Sequence, residues 1–489
     1  MNDRIALPVA VIGAGPVGLA AAAHMLERGL RPVVFEAGAT VAANLESFRH
    51  VRLFSPWRYN VDRAARRLLE SAGWQPPPDE ELPTAGEIVD RYLAPLAALP
   101  PIAAALQLSS RVESIARDGF DKLKSRGRDE APFVLRVRTA SGVREHRAWA
   151  VLDATGTWAT PNPLGANGLP ALGEREHADR IAYGMPDILG AQRARYAGRR
   201  VVVAGAGHSA AGNLLALAKL AQTEPGTRIV WTIRGHDFAR IFGGGENDGL
   251  AARGALGARL RALVGEGRLE VRADFKAEAI RDEGGPLAIE GRAPDGSRVR
   301  IDAVDEIIVS TGCRPDLGLS SEIRVRLDPW LESTEALAPL IDPNEHSCGT
   351  VRPHGHRELA HPEARFYALG AKSYGRAPNF LLATGYEQAR SVAAALAGDL
   401  ASADDVQLEL PQTGVCSTQF DEAAGACCAK PETPVEAPIA ASSCCGGPPK
   451  SRADACCVRD EVAKDEGKSG CGCGAEPKPS GKVIEASCC

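Results

Sequence analysis

Two glycine-rich turns constrain this 489-residue chain more than any other feature: Gly13-Ala14-Gly15-Pro16-Val17-Gly18 and Gly205-Ala206-Gly207-His208-Ser209-Ala210. Each follows a β-type apolar run and precedes a helix-type one. A turn of this kind leaves the first N–H groups of the helix unpaired and pointing outward, so each copy forms a site where phosphate can sit.

In the first copy Val9–Ile12 reads as a short buried strand, residues 19–26 as an Ala-rich helix ending near Gly29, and Pro32–Phe35 as a second strand closed by Glu36. The three glycines have separate tasks. The first permits the tight turn, the second lets backbone approach a pyrophosphate, and the third lets helix pack close to strand. Glu36 lies 18 positions after Gly18, where a carboxylate can bond both hydroxyls of an adenosine ribose. The order strand, glycines, helix, strand, acid therefore predicts a bound dinucleotide. The second copy predicts a strand over 199–204, a helix over 213–221 and a strand over 228–233 that ends in Arg234. An acid there would repel a 2′-phosphate, whereas arginine can hold one bidentately, so this site suits NADPH. The alternative is a solvated arginine at a strand end.

The repetition continues beyond the turns. After the first unit come three alternating runs, 111–115, 133–139 and 144–152, then Ala154-Thr155-Gly156. After the second come 269–272 with 279–281, then 287–291, then 299–309, ending in Ser310-Thr311-Gly312. Each half is thus a βαβ unit, a β-meander and a strand ending in a small-Thr-Gly turn.

On these residues the chain, over about positions 8 to 400, resembles the flavoproteins with two dinucleotide-binding domains, and within them the flavin monooxygenase-like branch, including the flavin monooxygenases of bacterial arsenic-resistance operons. The fold implied is α/β: an FAD-binding Rossmann-like domain (1–197 and 326–410), an inserted NADPH-binding Rossmann-like domain (198–325), and a disordered Cys-rich tail (411–489). His50-Val51-Arg52-Leu53-Phe54-Ser55-Pro56 is similar to the segment that runs along the flavin in that family. Leu82-Pro83-Thr84 with Tyr92-Leu93 is similar to its helix before the meander. Gly173-x-x-x-His177 keeps part of the monooxygenase signature, while Ala171 and Ile181 stand where aromatics are expected. Phe366–Gly370 is expected as a third flavin-contacting stretch, with Ala371-Lys372 where many relatives carry aspartate and Lys372, Ser373 and Tyr374 as polar candidates. The apolar run 380–396 would then aim a helix N-terminus at the flavin. The cofactor contacts implied are Gly13, Gly15, Pro16, Gly18, Glu36, Arg52, Leu53, Thr155, Gly156 and Gly370 for FAD. For NADPH they are Gly205, Gly207, Ser209, Arg234, Thr311 and Gly312.

Cysteine placement narrows the chemistry. A flavoenzyme that reduces disulfides through its core needs two thiols beside the flavin, commonly CxxC or CxxxxC. Residues 1 to 410 contain only Cys313 and Cys348, 35 positions apart. What remains is a reduced flavin meeting molecular oxygen or a small acceptor directly; the resemblance to the monooxygenase branch implies that one oxygen atom then passes to a soft nucleophile such as sulfur, nitrogen or arsenic. No side chain stands out as catalytic acid or base. Cys313 reads as a small buried residue.

Beyond Leu410 the apolar periodicity stops and Pro, Ser, Gly, Ala, Lys and Glu dominate, which predicts disorder. This tail nevertheless holds 11 of the 13 cysteines, among them the pairs Cys427-Cys428, Cys444-Cys445, Cys456-Cys457 and Cys488-Cys489. Vicinal disulfides are strained, so these pairs suit a soft thiophilic ion gathered by a flexible segment. A trivalent arsenical, copper(I) or zinc, and an unselected low-complexity appendage are the readings left open. A second candidate is the loop holding His346, Cys348, His354, His356 and His361, which could bind metal or line a substrate entrance; solvated or structural histidines are its alternative.

A net charge of −5 without charge blocks argues against nucleic acid as a partner. No cationic leader or long membrane-type run is seen, so the expectation is a cytoplasmic protein without membrane contact. The combined expectation is an FAD- and NADPH-dependent monooxygenase-type enzyme acting on a trivalent arsenical that its tail captures. The alternatives are an NADPH-dependent reductase passing electrons to the tail dithiols, and a thiol-rich metal-sequestering protein with a flavin-binding half.

Overall fold

A computed structural model describes residues 7–243, 250–282, 284–346 and 351–408. The eight tail cysteines proposed as ligands, and Cys348, lie outside the described residues. From the N-terminal side, β1 (Val9–Ile12) leads through Gly15 into α1 (Pro16–Glu27) and back to β2 (Pro32–Phe35). The helix begins ahead of the expected position 19 because Pro16 occupies its first turn, where a preset φ helps and a missing N–H costs nothing. Asp62 caps α2 (Arg63–Ser71) by accepting from Ala65 N–H at 2.9 Å. Thr84 and Glu87 form a capping box at the start of a further helical stretch. Next come β3 (Leu106–Gln107), the antiparallel meander β4 (Arg111–Arg117), β5 (Phe133–Thr139) and β6 (Gly142–Ala148), and then β7 (Ala150–Asp153). The expected single run 144–152 divides at Trp149. Its first part pairs with β5 and its last part with β1, so the chain changes sheet there.

The second half repeats this plan. It comprises β8 (Ile181–Tyr183), β9 (Arg200–Ala204), α3 (His208–Thr223), β10 (Arg228–Thr232), α4 (Ala251–Gly265), β11 (Glu270–Arg272), a meander of β12 (Lys276–Asp282), β13 (Leu287–Arg292) and β14 (Arg298–Val304), and β15 (Glu306–Val309). Helix α3 starts at His208, five residues before the expected position, because Gly207 acts as its N-cap. The expected run 299–309 likewise divides into β14 and β15. The chain then returns through β16 (Phe366–Ala368), α5 (Leu382–Ala397) and α6 (Leu400–Asp404).

Both main sheets are parallel and share one order. The first runs β16-β7-β1-β2-β3 and the second β8-β15-β9-β10-β11. In each, the strand bearing the glycine turn is central. Each outer strand next to the small-Thr-Gly strand comes from elsewhere in the chain: β16 from the C-terminal side, β8 from ahead of the second turn.

Burial on both faces explains why β1 carries no polar residue and β9 none after Arg200, with alternate side chains entering different cores. Val9 and Val11 pack into the core shared with α1 and α5, whereas Ala10 and Ile12 face the meander side. Val201 and Val203 divide from Val202 and Ala204 in the same way. Helix α1 is enclosed from Pro16 to Met25, and its alanines let α5 approach: a Cβ on Gly385 would lie 2.6 Å from a Val17 methyl. A buried triad ties the meander to the return segment. Glu363 accepts from Arg117 Nε and Arg128 Nη2, both at 2.7 Å, with all three side chains at or below 1% exposure. Burial alone would raise the Glu363 carboxyl pKa, but the bonds from Arg128 and Arg117 hold it below the ordinary value. Among the described residues no helix is long and apolar enough to cross a membrane.

Candidate nucleotide-binding sites

The two turns have the same architecture at the level of individual atoms. Gly13 N–H donates to the Phe35 carbonyl at 2.7 Å, and Ala154 N–H donates to the Ile12 carbonyl at 2.9 Å. In the second copy Gly205 N–H donates to Thr232 at 3.1 Å and Ser310 N–H to Ala204 at 2.8 Å. The first glycine of each turn is pinned against the small-Thr-Gly strand end. Gly13 has φ +99° and a Cβ there would lie 2.7 Å from the Ala154 carbonyl oxygen; Gly205 has φ +141° and a Cβ would strike the Ser310 carbonyl. Those backbone atoms cannot retreat, so both positions demand glycine.

The second glycine of each turn differs. Gly15 and Gly207 are the N-caps of α1 and α3, in ordinary extended conformation, and neither receives a side-chain cap. A Cβ at either position would meet nothing within 4 Å. Space and unpaired N–H groups coincide there, as a pyrophosphate requires. The third position diverges: a Cβ on Gly18 would strike the Gly13 carbonyl, while the second copy carries Ala210, fully buried.

At the ends of the second strands the two copies carry opposite charge. Glu36 accepts from Ala14 N–H and Gly38 N–H, both at 2.8 Å, one with each carboxylate oxygen. A carboxylate has about four lone-pair sites, so acceptor capacity remains for ribose hydroxyls. Arg234 is exposed and donates Nη1–H to the Ala166 carbonyl at 3.2 Å, leaving the rest of its fork available.

The small-Thr-Gly turns are anchored differently. Thr155 Oγ1 donates to Asp153 at 2.7 Å, and Lys372 Nζ reaches Thr155 Oγ1 (3.1 Å), Asp153 (3.1 Å) and the Asp316 carbonyl (2.6 Å). Two hydrogen bonds and an ion pair thus commit Lys372 to locking β7, β16 and the segment after β15. Asp153 escaped the sequence reading, although a carboxylate closing the apolar strand Ala150-Val151-Leu152 was a visible signal. Thr311 Oγ1 instead donates to the Asn162 carbonyl at 3.0 Å. Gly156, Gly312 and Gly370 all have positive φ, between +67° and +89°. Gly370 N–H donates to the fully buried Gln388 Oε1 at 2.8 Å, and Gln388 Nε2 lies 3.0 Å from His354 Nε2. Burial lowers the His354 pKa. Its Nδ1 sits 2.9 Å from the Arg352 carbonyl, so the neutral ring donates there and accepts from Gln388. Ser373 bonds the Gly370 carbonyl at 2.8 Å, and Tyr374 packs on His354 and Phe380.

The segment around Arg52 connects the two halves. Residues 51–53 pair with 83–85 through Leu53 N–H to Pro83 (2.8 Å) and Ala85 N–H to Val51 (2.9 Å), and the Arg52 guanidinium bonds the Leu82 carbonyl beside Glu87. Phe54 then lies against His208, the first residue of α3, with ring centroids 5.3 Å apart. Ser209, the next residue of that turn, is half-buried. The first-half segment expected along a flavin thus touches the rim of the second glycine turn.

The histidine loop does not converge. His346, His354, His356 and His361 bond, respectively, Pro339, Gln388, Asp404 and the Arg326 N–H, and no group of three metal-ligating residues occurs among the described residues. Cys313 is half-buried, and burial raises its thiol pKa.

Residues 11–75 match the model of the NAD(P)-binding Rossmann-like domain. Over 322 residues the chain is 29% identical to ferredoxin–NADP reductase 1 of Cupriavidus pinatubonensis, covering 63% of this chain and 71% of that protein. Among solved structures it resembles the bacillithiol disulfide reductase of Bacillus cereus, with TM-score 0.59, 18% identity, and coverage of 80% of this chain and 99% of that one. It also resembles the FAD-bound cadaverine monooxygenase of desferrioxamine biosynthesis from Erwinia amylovora, with TM-score 0.59, 14% identity, and coverage of 85% and 99%. The doubled βαβ-meander unit, with two glycine cradles and these likenesses, gives the chain the architecture of the flavoproteins with two dinucleotide-binding domains.

Proposed function

We propose that the protein is an FAD- and NADPH-dependent monooxygenase-type oxidoreductase of the cytoplasm that oxidises a trivalent arsenical, captured by its cysteine-rich tail. The observation that carries the reading is the pair of matched cradles with opposite strand-end charge, Glu36 in one and Arg234 in the other, meeting through Phe54 and His208. The first cradle, with the return segment, would hold FAD, and residues 1–197 and 326–410 form that lobe. The second would hold NADPH within 198–325, with β8 joining its sheet from just ahead.

The residues present fit these groups. Gly15 and Gly207 leave room for a pyrophosphate against uncapped helix N-termini, Glu36 keeps acceptor sites for a ribose, and Arg234 keeps donors for a 2′-phosphate. FAD, when bound, supplies the electron transfer and oxygen chemistry. The chain's part is orientation. Lys372, Asp153 and Thr155 hold the strand ends that floor the first cradle, and Gln388 fixes the Gly370 turn. The missing dithiol in residues 1–410 supports oxygen rather than a core disulfide as acceptor, and the vicinal cysteine pairs support a thiophilic substrate.

The purified protein should be yellow, oxidise NADPH with consumption of oxygen, and turn over faster with methylarsenite or phenylarsine oxide. Truncation after Leu410 should raise the KM for the arsenical and leave flavin reduction by NADPH intact. A colourless protein that does not take up FAD would refute the proposal. The likeness to ferredoxin–NADP reductase and a disulfide reductase favours a second reading, a reductase whose electrons leave through the tail dithiols. Loss of all NADPH-driven electron transfer on truncation would decide for it.

A further inference from the structure

Residues 165–168 form a tight turn laid against the second meander. Gly168 N–H closes it onto the Gly165 carbonyl at 3.1 Å, and Ala166 N–H donates to the Ala277 carbonyl of β12 at 3.0 Å. On its far arm Leu172 N–H donates to the Glu278 carbonyl at 2.9 Å and Ile280 N–H to the Leu172 carbonyl at 2.7 Å. Strand β12 therefore holds both arms, and the turn is a fixed part of the second half although it precedes β9 in the chain.

Two arginines from different strand ends reach the carbonyls of this one turn. Arg234, beyond β10, donates Nη1–H to Ala166 at 3.2 Å, and Arg314, beyond β15, donates Nη2–H to Gly168 at 3.4 Å. Strand β9, which leads into the second glycine turn, lies between β10 and β15 in the sheet. The two side chains thus come from either side of the strand that enters the cradle and bracket a single turn. A guanidinium has five N–H donors, and each of these spends one, on a long bond to a neutral oxygen. Among the described residues neither arginine is within ion-pair distance of a carboxylate. By contrast, Arg272 and His236 at the same corner are engaged, by Glu270 at 2.6 Å and by Asp274 at 3.3 Å. Arg314 is half-buried at the wall of an open cleft of about 410 Å³, so protein does not enclose it.

Charge balance says what this pair suits. A phosphate monoester carries about −1.5 to −2 charges at neutral pH, which one guanidinium offsets only in part. Arg234 closes β10 where Glu36 closes β2, the place of the adenosine ribose. With Arg314 bonded to the same turn, this corner offers two positive charges without a counter-charge, each on a planar fork suited to phosphate oxygens. We infer that Arg314 is a second ligand of the 2′-phosphate, and that Arg234, Arg314 and the turn 165–168 form a clamp that selects NADPH over NADH. This rests on the reading of the second cradle as the NADPH site, and adds that a segment ahead of the cradle in sequence completes it.

The test is calorimetric titration of the full-length, FAD-loaded protein with 2′,5′-ADP and with 5′-AMP, which differ only in the 2′-phosphate. The wild type should bind 2′,5′-ADP at least about tenfold tighter than AMP, and Arg314→Gln should cut that ratio by about fivefold or more while AMP affinity holds within about twofold. A salt series adds a readout that a purely structural role would not move: the affinity for 2′,5′-ADP should fall less steeply with KCl in Arg314→Gln. An unchanged ratio in that variant would overturn the inference and leave the NADPH reading standing, and so would equal losses for the two nucleotides. No preference for 2′,5′-ADP in the wild type would overturn the NADPH reading itself, and the clamp with it. If Arg314→Gln does not hold FAD, Arg314→Lys serves as the second variant; it keeps the charge but not the fork, so a loss of about twofold or more in the ratio is expected and an unchanged ratio counts against the clamp.

Discussion

The two glycines of the second turn should fail in opposite ways when replaced by alanine. Gly207 is the α3 N-cap at φ −107° and ψ 179°, where alanine is unstrained and its Cβ would touch nothing within 4 Å. Losing backbone freedom in the unfolded chain stabilises by about 0.4–1 kcal/mol, and alanine is a poorer N-cap than glycine by a similar amount, so the melting temperature should hardly move. That open space, however, is where a pyrophosphate must approach. Blocking one or two charge-assisted bonds of about 1.5–3 kcal/mol each predicts a 10- to 100-fold rise in the Kd for NADPH. Gly205→Ala does the reverse. At φ +141° with the Ser310 carbonyl in the way, strain and overpacking should cost about 2–5 kcal/mol of stability. Differential scanning calorimetry separates the stabilities, and titration of flavin reduction with NADPH gives the affinities. A Gly207→Ala protein that melts normally and keeps its NADPH affinity would refute the cradle argument.

Three further outcomes are expected. Arg234→Ala should narrow the preference for NADPH over NADH, read as the ratio of kcat/KM for the two; an unchanged ratio removes its role at a 2′-phosphate. Glu363→Gln leaves Arg117 and Arg128 buried without their counter-charge and should cost about 3–5 kcal/mol in urea unfolding, with a loss below about 1 kcal/mol contradicting the triad's role. His361 accepts the Arg326 N–H, and burial lowers its pKa to about 4. Its folded pKa lies below the unfolded value, so its contribution is complete above about pH 6.5 and fades as pH falls toward 4, by at most about 3 kcal/mol. His361→Gln should flatten the acid limb of a stability–pH profile over that window, and an unaltered limb would count against this assignment.

Much of the scaffold was legible because the determinants are local. β1 and β2 fall where short apolar runs end at glycine and at Glu36, and the second unit repeats the pattern, so both turns and the doubled βαβ plan followed from spacing. Helix starts were misplaced by three and five residues because residues after a glycine turn read as loop until the N-cap is known. Runs 144–152 and 299–309 each proved to be two strands, since nothing in an unbroken alternation marks where a chain leaves one sheet for another. The histidine loop looked like a cluster only because its residues are near in sequence; in three dimensions each of its four histidines turns to a different partner.

Lys372 and His24 mark where sequence stopped. Lys372 read as a residue available to the flavin, yet tertiary packing brings Asp153, Thr155 and Asp316 around its ammonium, and those partners are separated by more than fifty residues from it and, for the first two, by more than two hundred. His24 looked like an ordinary residue of an Ala-rich helix until Asp62 and α5 closed around it. Sequence determined the doubled dinucleotide-binding plan, because glycine, strand-end charge and apolar period act within a few residues. Only the tertiary structure decided which polar groups are satisfied and which still lack a partner, because that depends on segments the chain brings together across its length.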